Sequence, residues 1–341
     1  MKLLGGLKIN NYLCTDEKEP MRNLFLPIIK QLVLLAIATT TLFWGSNIAL
    51  VQPAAAYPFW AQAAYPLTPR EPTGKIVCAN CHLAVKPADI EIPTSVLPDT
   101  VFEAVVKIPY DLTSQQVLGD GSKGGLNVGA VVMLPDGFQI APPDRIPEEM
   151  KEKVGDTYFQ SYAEDQPNVI IVGPLPGEQY QEITFPILSP NPATNKAAHF
   201  GKYLVHLGAN RGRGQLYPTG ERTNNNIFTA SVAGTITKIE QPEAGGYSVT
   251  IQPEVGEPVV QAIPAGPALV VEEGDTVALA APLTINPNVG GFGQHEAEIV
   301  LQSGDRITWL IAFICAIMLS QALLVLKKKQ VEKVQAAEVE F

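Results

Sequence analysis

The sequence predicts a mainly β exported region that is anchored by one C-terminal transmembrane helix. Three observations support this fold class. Residues 57–305 contain many short apolar segments rich in β-branched residues, separated by proline and glycine turns. Residues 307–326 are an uncharged apolar run that is long enough, as a helix, to cross a bilayer. Residues 1–56 combine scattered basic residues with an apolar run that ends in small residues, which is typical of a signal peptide.

The N-terminal segment is predicted to be removed. Its apolar run ends in an Ala-x-Ala pattern at Ala54 and Ala56, so cleavage would follow Ala56 and make Tyr57 the new N-terminus. Residues 1–56 are therefore assigned as a cleaved signal peptide. The alternative is an uncleaved anchor helix.

The exported region is predicted to be built from short strands. One helix is also predicted, over residues 148–154, because Pro147 precedes it, Gly155 follows it, and Glu149 and Lys153 form an i,i+4 pair in the favourable order. The predicted strands cover residues 101–108, 129–133, 169–172, 181–188, 203–207, 227–239, 247–251, 259–263, 276–280 and 297–301.

Residues 226–288 are predicted to form a separate small β domain. Valine and glycine recur through this section, a composition typical of a small flattened β-barrel. Biotinyl and lipoyl carrier domains have a similar composition, but they need a lysine at a hairpin tip. Lys238 is the single lysine of this section and lies in a predicted strand, not at a hairpin tip, so the sequence does not support a carrier role.

The C-terminal run is assigned as a transmembrane helix over residues 306–327. Arg306 precedes the uncharged run and three lysines, Lys327, Lys328 and Lys329, follow it. The positive-inside rule places the lysines, with the tail at residues 328–341, on the cytoplasmic side. The alternative, a buried core helix, fits neither the length nor the flanking charges.

The charge of the exported region excludes nucleic acid as a partner. Residues 57–305 hold 14 lysine and arginine residues against 28 aspartate and glutamate residues, a formal charge of −14. Such a surface attracts cationic or nearly neutral proteins, and added salt weakens that attraction.

The most specific motif is C-x-x-C-H at Cys78, Cys81 and His82, the attachment sequence of a c-type haem. Its two thiols can add to the vinyl groups of one porphyrin, and the imidazole then binds the iron. The alternatives are a disulfide or half of a zinc site, which would need a second ligand pair. Of the other cysteines, Cys14 lies in the predicted signal peptide and Cys315 in the predicted span.

A second motif match carries no function. Residues 119–124 fit G-x-G-x-x-G, but a dinucleotide site requires a strand before it and a helix after it. Residues 126–133 are instead strand-like, so a glycine-rich loop is predicted.

The spacing of the residues does not identify the sixth ligand of a haem iron. Five exported side chains could serve: His199, His206, His295, Met133 and Met150. The α-amino group of Tyr57 is a further candidate once the signal peptide is removed. Its reference pKa is about 7.7–8.0, against about 10.4 for a lysine amine, so it loses its proton at lower cost.

Several segments resemble the cytochrome f family, the c-type cytochromes of the cytochrome b6f complex in oxygenic photosynthesis. The resemblance lies in YPFWAQ at 57–62, REPTGKIV at 70–77 leading into the haem motif, ANRGRGQLYP at 209–218, and GGFGQ at 290–294. It implies an elongated lumenal region, with a large β-sandwich haem domain at 57–225 and 289–305 and the small β domain at 226–288 inserted late in it.

The resemblance also implies the site. One haem c is covalently attached through Cys78 and Cys81, and its iron is bound by His82 and by the N-terminal amine of Tyr57. The family keeps a buried chain of waters near the haem, for which Asn210 and Gln215 fall in matching segments, as does Asn225.

The resemblance further implies an electron carrier, not itself an enzyme, in the thylakoid membrane, with its large domain in the lumen. Its partners would be cytochrome b6, subunit IV, the Rieske iron–sulfur protein and the small subunits, with plastocyanin or cytochrome c6 as electron acceptor. Plant-type members present a lysine patch, whereas residues 224–238 offer little positive charge. A cyanobacterial-type pairing with a basic or neutral carrier is therefore predicted. Two rivals stay open, a haem peroxidase or gas sensor and a structural module with incidental haem.

Overall fold

The structure is a computed structural model that describes residues 59–243 and 245–339. The predicted signal peptide and Tyr57 lie outside these residues. The helices are α1 (Phe59–Ala64), α2 (Glu148–Val154) and α3 (Gly304–Val339), with 3-10 helices at Val77–Asn80 and Pro143–Arg145. The strands are β1 (Asp89–Glu91), β2 (Ser95–Val96), β3 (Val101–Lys107), β4 (Gln116–Val117), β5 (Lys123–Gly124), β6 (Asn127–Met133), β7 (Gln139–Ile140), β8 (Phe159–Ser161), β9 (Val169–Pro176), β10 (Glu182–Leu188), β11 (Gly201–Arg211), β12 (Gly234–Glu240), β13 (Tyr247–Gln252), β14 (Val259–Ile263), β15 (Thr276–Val277) and β16 (Gly291–Leu301).

Two sheets pack face to face and form a β-sandwich. One has four strands in the order β1-β3-β10-β7, and the other has six in the order β2-β16-β11-β6-β9-β8. Neighbouring strands are antiparallel except for β2 and β16. Alternate residues of β3, including Phe102, Ala104 and Val106, point into the shared core with Phe185 of β10 and Leu207 of β11. The predicted mainly β class and the large β-sandwich are confirmed.

The six-stranded sheet is buried on both faces, and this places the site. Residues 128–133 of β6 are all buried. Ala130 and Val132 face the sandwich core, while Val131 and Met133 belong to a second apolar cluster on the opposite face. Ile76 joins that cluster, and Ala61 and Cys78 pack against it, so the first described residues of the chain cover this outer face.

Strands β12 to β15 form a four-stranded antiparallel sheet in the order β14-β13-β12-β15, within the range 226–288 predicted for the small β unit. Its own core includes Ile236, Val249, Ile251 and Leu283. The strand predicted over 227–239 begins only at Gly234, and the residues before it pair through a single bridge, Thr229 with Pro282. The strand predicted over 276–280 ends at Val277, because Ala280 adopts a positive φ of 64°.

Two strands are much longer than predicted. The segments 203–207 and 297–301 lie in β11 and β16, which each have eleven residues and pair with each other along their whole length. Their added residues include Gly208, Gly291 and Gly293, which lower the strand propensity of the sequence. Pairing with neighbouring strands overrides that local preference.

The glycine-rich match at 119–124 is a turn over residues 119–122, as predicted, followed by strand β5. The turn joins β4 to β5 in a two-stranded ribbon, and strand β6 comes next. Gly121 has φ +87°, and a Cβ there would lie 2.7 Å from Cβ of Ala265 in the small unit. Glycine is therefore required by the turn and by a close chain approach, not by a nucleotide.

The predicted C-terminal helix is confirmed and is longer than the span. Helix α3 has 36 residues, is exposed along its length, and is apolar enough to cross a membrane, with a mean hydropathy of 2.5 in its most apolar window. At about 1.5 Å per residue it exceeds the roughly 30 Å of a hydrocarbon core, so its lysine-rich C-terminal part continues beyond the span. Helix α2 has the predicted bounds, and Gly155 ends it with φ +53°.

Candidate functional site

A tight turn brings the motif cysteines and histidine together. The 3-10 helix Val77–Asn80 contains Cys78, and its carbonyl accepts hydrogen bonds from the backbone N–H groups of Cys81, at 3.2 Å, and His82, at 3.0 Å. This turn directs side chains three and four residues apart to one side. No disulfide joins Cys78 and Cys81, so the disulfide alternative is not realised. Within 59–243 and 245–339, no three His, Cys, Asp or Glu side chains are grouped to hold a metal ion, so the zinc alternative gains no support.

The His82 side chain is buried and available as a ligand. It is 7% exposed, and burial lowers its pKa to about 4, with a smaller contribution from the charge of Arg211. The imidazole is therefore neutral at physiological pH, as an iron ligand must be. Its Nε2 lies 3.1 Å from Nδ2 of Asn210, and its Nδ1 is buried with no hydrogen-bond partner among the described residues. With the Asn210 amide turned over, its Oδ1 would accept from a protonated Nε2, and Nδ1 would keep a free lone pair. One nitrogen can thus bind iron while the other contacts Asn210.

An apolar cavity adjoins the motif. Tyr162 and Phe292 contribute aromatic walls, and Gly129 and Gly208 on neighbouring strands leave room between them. The cavity is lined by Ala61, Pro69, Cys78, Gly129, Ala130, Val131, Tyr162, Ile171, Gly208, Asn210 and Phe292. Burial raises the pKa of the Cys78 thiol to about 12. A protonated buried thiol, an unpartnered ring nitrogen and apolar walls fit a covalently attached haem.

The side-chain candidates for the sixth ligand do not line the cavity, although Met133 packs in the apolar cluster that borders it. None of the five side chains is among the described residues that line the cavity. Nδ1 of His206 lies 2.9 Å from Glu296, Nε2 of His295 lies 3.3 Å from Asp89, and Nδ1 of His199 lies 3.1 Å from the Tyr203 hydroxyl. Met133 packs in the second apolar cluster, and Met150 lies on α2. The Tyr57 amine lies outside the described residues.

A buried polar cluster holds the motif from its other side. The backbone N–H of Gln215 donates to the Cys81 carbonyl at 2.8 Å, and its side-chain oxygen accepts from the backbone N–H of Leu83 at 2.8 Å. Asn225 is fully buried and donates to the Arg213 carbonyl at 2.9 Å. Of the three amides singled out from the sequence, Asn210 and Gln215 therefore contact the motif or the residue after it, and Asn225 is linked to it through the Arg213 carbonyl, which also accepts from Nε2 of Gln215 at 3.0 Å.

Sequence reasoning missed other members of this cluster. Gln116 and Asn224 are buried and both bond Arg213: its backbone N–H donates to Gln116 Oε1 at 2.7 Å, and its guanidinium donates to Asn224 Oδ1 at 2.6 Å. Arg211 is fully buried, burial lowers its pKa to about 10, and it donates to the Pro87 carbonyl at 2.6 Å. The sequence did not indicate that these two arginines, separated by one glycine, are buried, because arginine is usually a surface residue.

A β-sandwich that holds two thiols and a neutral imidazole beside one apolar cavity defines a c-type cytochrome. The comparisons with known proteins narrow this class. The family model described as apocytochrome F, N-terminal, matches residues 57–212, and the one described as apocytochrome F, C-terminal, matches residues 224–341.

Curated relatives agree over most of the chain. The chain is 68% identical over 315 residues to cytochrome f of Mastigocladus laminosus, with 91% of this chain and 95% of the relative covered. It is 69% identical over 311 residues to cytochrome f of Rippkaea orientalis, with coverage of 91% and 94%. It is 65% identical over 313 residues to cytochrome f of a Synechocystis strain, with coverage of 92% and 95%.

The chain belongs to the cytochrome f family. It is accordingly a c-type cytochrome with one covalently attached haem and an electron-carrier subunit of the cytochrome b6f complex. It is a single-pass thylakoid membrane protein, anchored by its C-terminal helix.

Proposed function

We propose that this chain accepts electrons from the Rieske iron–sulfur protein and passes them to plastocyanin or cytochrome c6. The observation that carries the proposal is the site itself: Cys78 lines an apolar cavity, the buried neutral His82 contacts Asn210 of the same cavity wall, and Cys81 lies in the turn between them. The haem supplies a one-electron couple between ferrous and ferric iron. The residues described below would hold that couple and shield it from water.

We assign the thioether bonds to Cys78 and Cys81 and the iron ligands to His82 and the amine of Tyr57. Asn210 would orient the imidazole, since its amide lies 3.1 Å from the ring. Gln215 would hold the backbone on either side of His82 through its bonds to Cys81 and Leu83. With two nitrogen ligands the iron keeps no open position, so the protein would carry electrons without binding a substrate.

We propose the following division of the chain. Residues 1–56 are a cleaved signal peptide, residues 57–225 and 289–305 form the haem domain, and residues 226–288 form the small domain. Residues 306–327 cross the membrane and residues 328–341 stay in the cytoplasm. The three lysines after the span support this orientation, because positive charge is retained on the cytoplasmic side. The haem domain would then lie in the lumen.

The membrane helix offers a contact for cytochrome b6, subunit IV, the small subunits and the Rieske protein, since α3 is exposed along its length. For the soluble carrier, charge is informative. Residues 226–288 hold one basic and seven acidic residues, so a cationic carrier would be attracted to the small domain. The association rate should fall as ionic strength rises, and a rate that rises with salt for a cationic carrier would refute the attraction.

Mass spectrometry of the mature holoprotein tests the site most directly. We expect a chain that begins at an unmodified Tyr57 and carries one haem on the peptide with Cys78 and Cys81. Carbon monoxide should bind the reduced protein slowly, because it must displace a ligand. A blocked or differently cut N-terminus would refute the amine ligand, and fast binding of carbon monoxide would favour a gas sensor or peroxidase.

A further inference from the structure

The short helix α1 begins the described part of the chain and lines the cavity through Ala61. It begins at Phe59, two residues after Tyr57, and has six residues. Helices of this length are not stable alone, because too few hydrogen bonds form to offset the cost of the first turn. Its position must therefore be set by contacts with the rest of the fold.

Ala61 packs against the second apolar cluster, and hydrogen bonds to α1 and the residues after it come from residues 161–166, centred on Tyr162. The Tyr162 hydroxyl lies 2.9 Å from the carbonyl oxygen of Ala61 and 2.7 Å from that of Tyr65, and it donates to this pair of acceptors. In return, Nε2 of Gln62 donates to the Tyr162 carbonyl at 2.7 Å. Gln166 holds the next stretch of chain through the Leu67 carbonyl at 2.8 Å. The helix is thus bound at its C-terminal end and through its own side chain.

Tyr162 itself is firmly held. It is 3% exposed, and its backbone N–H donates to the Val169 carbonyl at 2.7 Å, which ties it to β9 of the six-stranded sheet. Burial raises the pKa of Tyr162, so the phenol keeps its proton and remains a donor. Its ring lines the same cavity as Ala61 and Cys78. Tyr162 therefore connects the sheet, the cavity wall and the helix that leads to the chain terminus.

We propose that Tyr162 is a positioning residue for the sixth ligand: it holds α1 so that the Tyr57 amine stays at the iron. The inference rests on the proposed function, in which that amine is the ligand. An amine at a chain end leaves the metal whenever its segment swings away. Bonds that hold the segment therefore raise the fraction of time for which the ligand is in place.

The test uses the full-length holoprotein and measures how fast carbon monoxide binds the reduced haem. The variant Tyr162→Phe removes the hydroxyl and keeps the ring in the cavity wall. A hydrogen bond that contributes about 0.5–1.5 kcal/mol corresponds to a rise of about 2- to 10-fold in the detached population, and the binding rate should rise by the same factor. Tyr158→Phe is the matched control, because Tyr158 is 77% exposed and does not line the cavity. Its rate should equal that of the wild type.

Gln62→Ala provides an independent variant, since it removes the bond from the helix side and leaves Tyr162 intact. It should also raise the rate of carbon monoxide binding. If Tyr162→Phe fails to fold, this variant tests the proposal in its place. If the wild type binds carbon monoxide slowly and both variants bind it at the rate of the Tyr158→Phe control, the positioning role of Tyr162 is refuted and the amine ligand is not. A wild type that binds carbon monoxide at once would overturn the amine ligand and, with it, this inference.

Discussion

Gly208 is the position where packing beside the haem cavity can be tested most sharply. It lies in β11, between β6 and β16, and lines the cavity. A Cβ added there would lie 3.0 Å from Cδ1 and Cγ2 of Ile76 and 3.0 Å from Cζ of Phe292. Ile76 is 1% exposed and Phe292 is 5% exposed, so neither side chain can swing into solvent. Gly208→Ala therefore overpacks the second apolar cluster.

We expect Gly208→Ala to lower the free energy of unfolding by about 1–3 kcal/mol, the usual cost of forcing an extra methyl into a packed site. For a domain of this size the midpoint temperature should fall by about 2–10 °C. The measurement is thermal unfolding of the full-length holoprotein in detergent, followed by haem absorbance, with denaturant titration as a second probe.

Gly125→Ala is the matched control. A Cβ at Gly125 would meet one atom, Oε1 of Glu178, at an ordinary 3.8 Å, and neither glycine has the left-handed φ that alanine avoids. Gly125→Ala should thus leave stability unchanged or raise it by up to about 1 kcal/mol, through the entropy of the unfolded chain. If Gly208→Ala were as stable as this control, the packing of Ile76 and Phe292 against the strand would be wrong.

Three further predictions concern the buried side chains. Asn224→Ala removes the hydrogen bonds from Nδ2 to the carbonyls of Leu118 and Ala265, and it also removes an acceptor of the Arg213 guanidinium. The free energy of unfolding should therefore fall by about 2–4 kcal/mol. An unchanged denaturant midpoint would contradict this prediction. Phe185→Ala empties a fully buried core position and should cost about 3–5 kcal/mol in the same titration, whereas a cost below 1 kcal/mol would argue against the sandwich core. Because burial raises the pKa of Cys78 to about 12, protein prepared without haem should be alkylated at Cys78 at least about tenfold more slowly at pH 8 than at an ordinary thiol, as measured by mass spectrometry, and equal rates would refute this burial.

The local part of the site was predictable because its chemistry requires a fixed spacing. Attachment of one porphyrin needs two thiols separated by two residues and an imidazole directly after them. Five consecutive residues are therefore enough to predict it. The second half of the site has no such pattern. Asn210 reaches His82 across 128 positions, and Tyr162 reaches Ala61 across 101. No spacing rule connects residues that meet only when distant strands pair.

The same contrast holds for the fold. The bounds of α2 and of β3 and β10 follow from proline, glycine and β-branched residues that act within a few positions. Strands β11 and β16 continue through glycines because each is paired along its length, and that pairing depends on residues far away in the chain. Local propensity is a weak term, and long-range pairing overrides it where the two conflict.

By itself, then, the amino-acid sequence determined a β-rich region, one membrane helix after it, and a haem motif at Cys78, Cys81 and His82. Each depends on composition or spacing within a short stretch. Only the tertiary structure decided that the outer face of the six-stranded sheet is buried beneath residues 59–82, and that Tyr162, Asn210 and Gln215 hold the chain there. The reason is physical: burial and hydrogen-bond partners belong to pairs of residues brought together by folding, and no single stretch of sequence contains both members of such a pair.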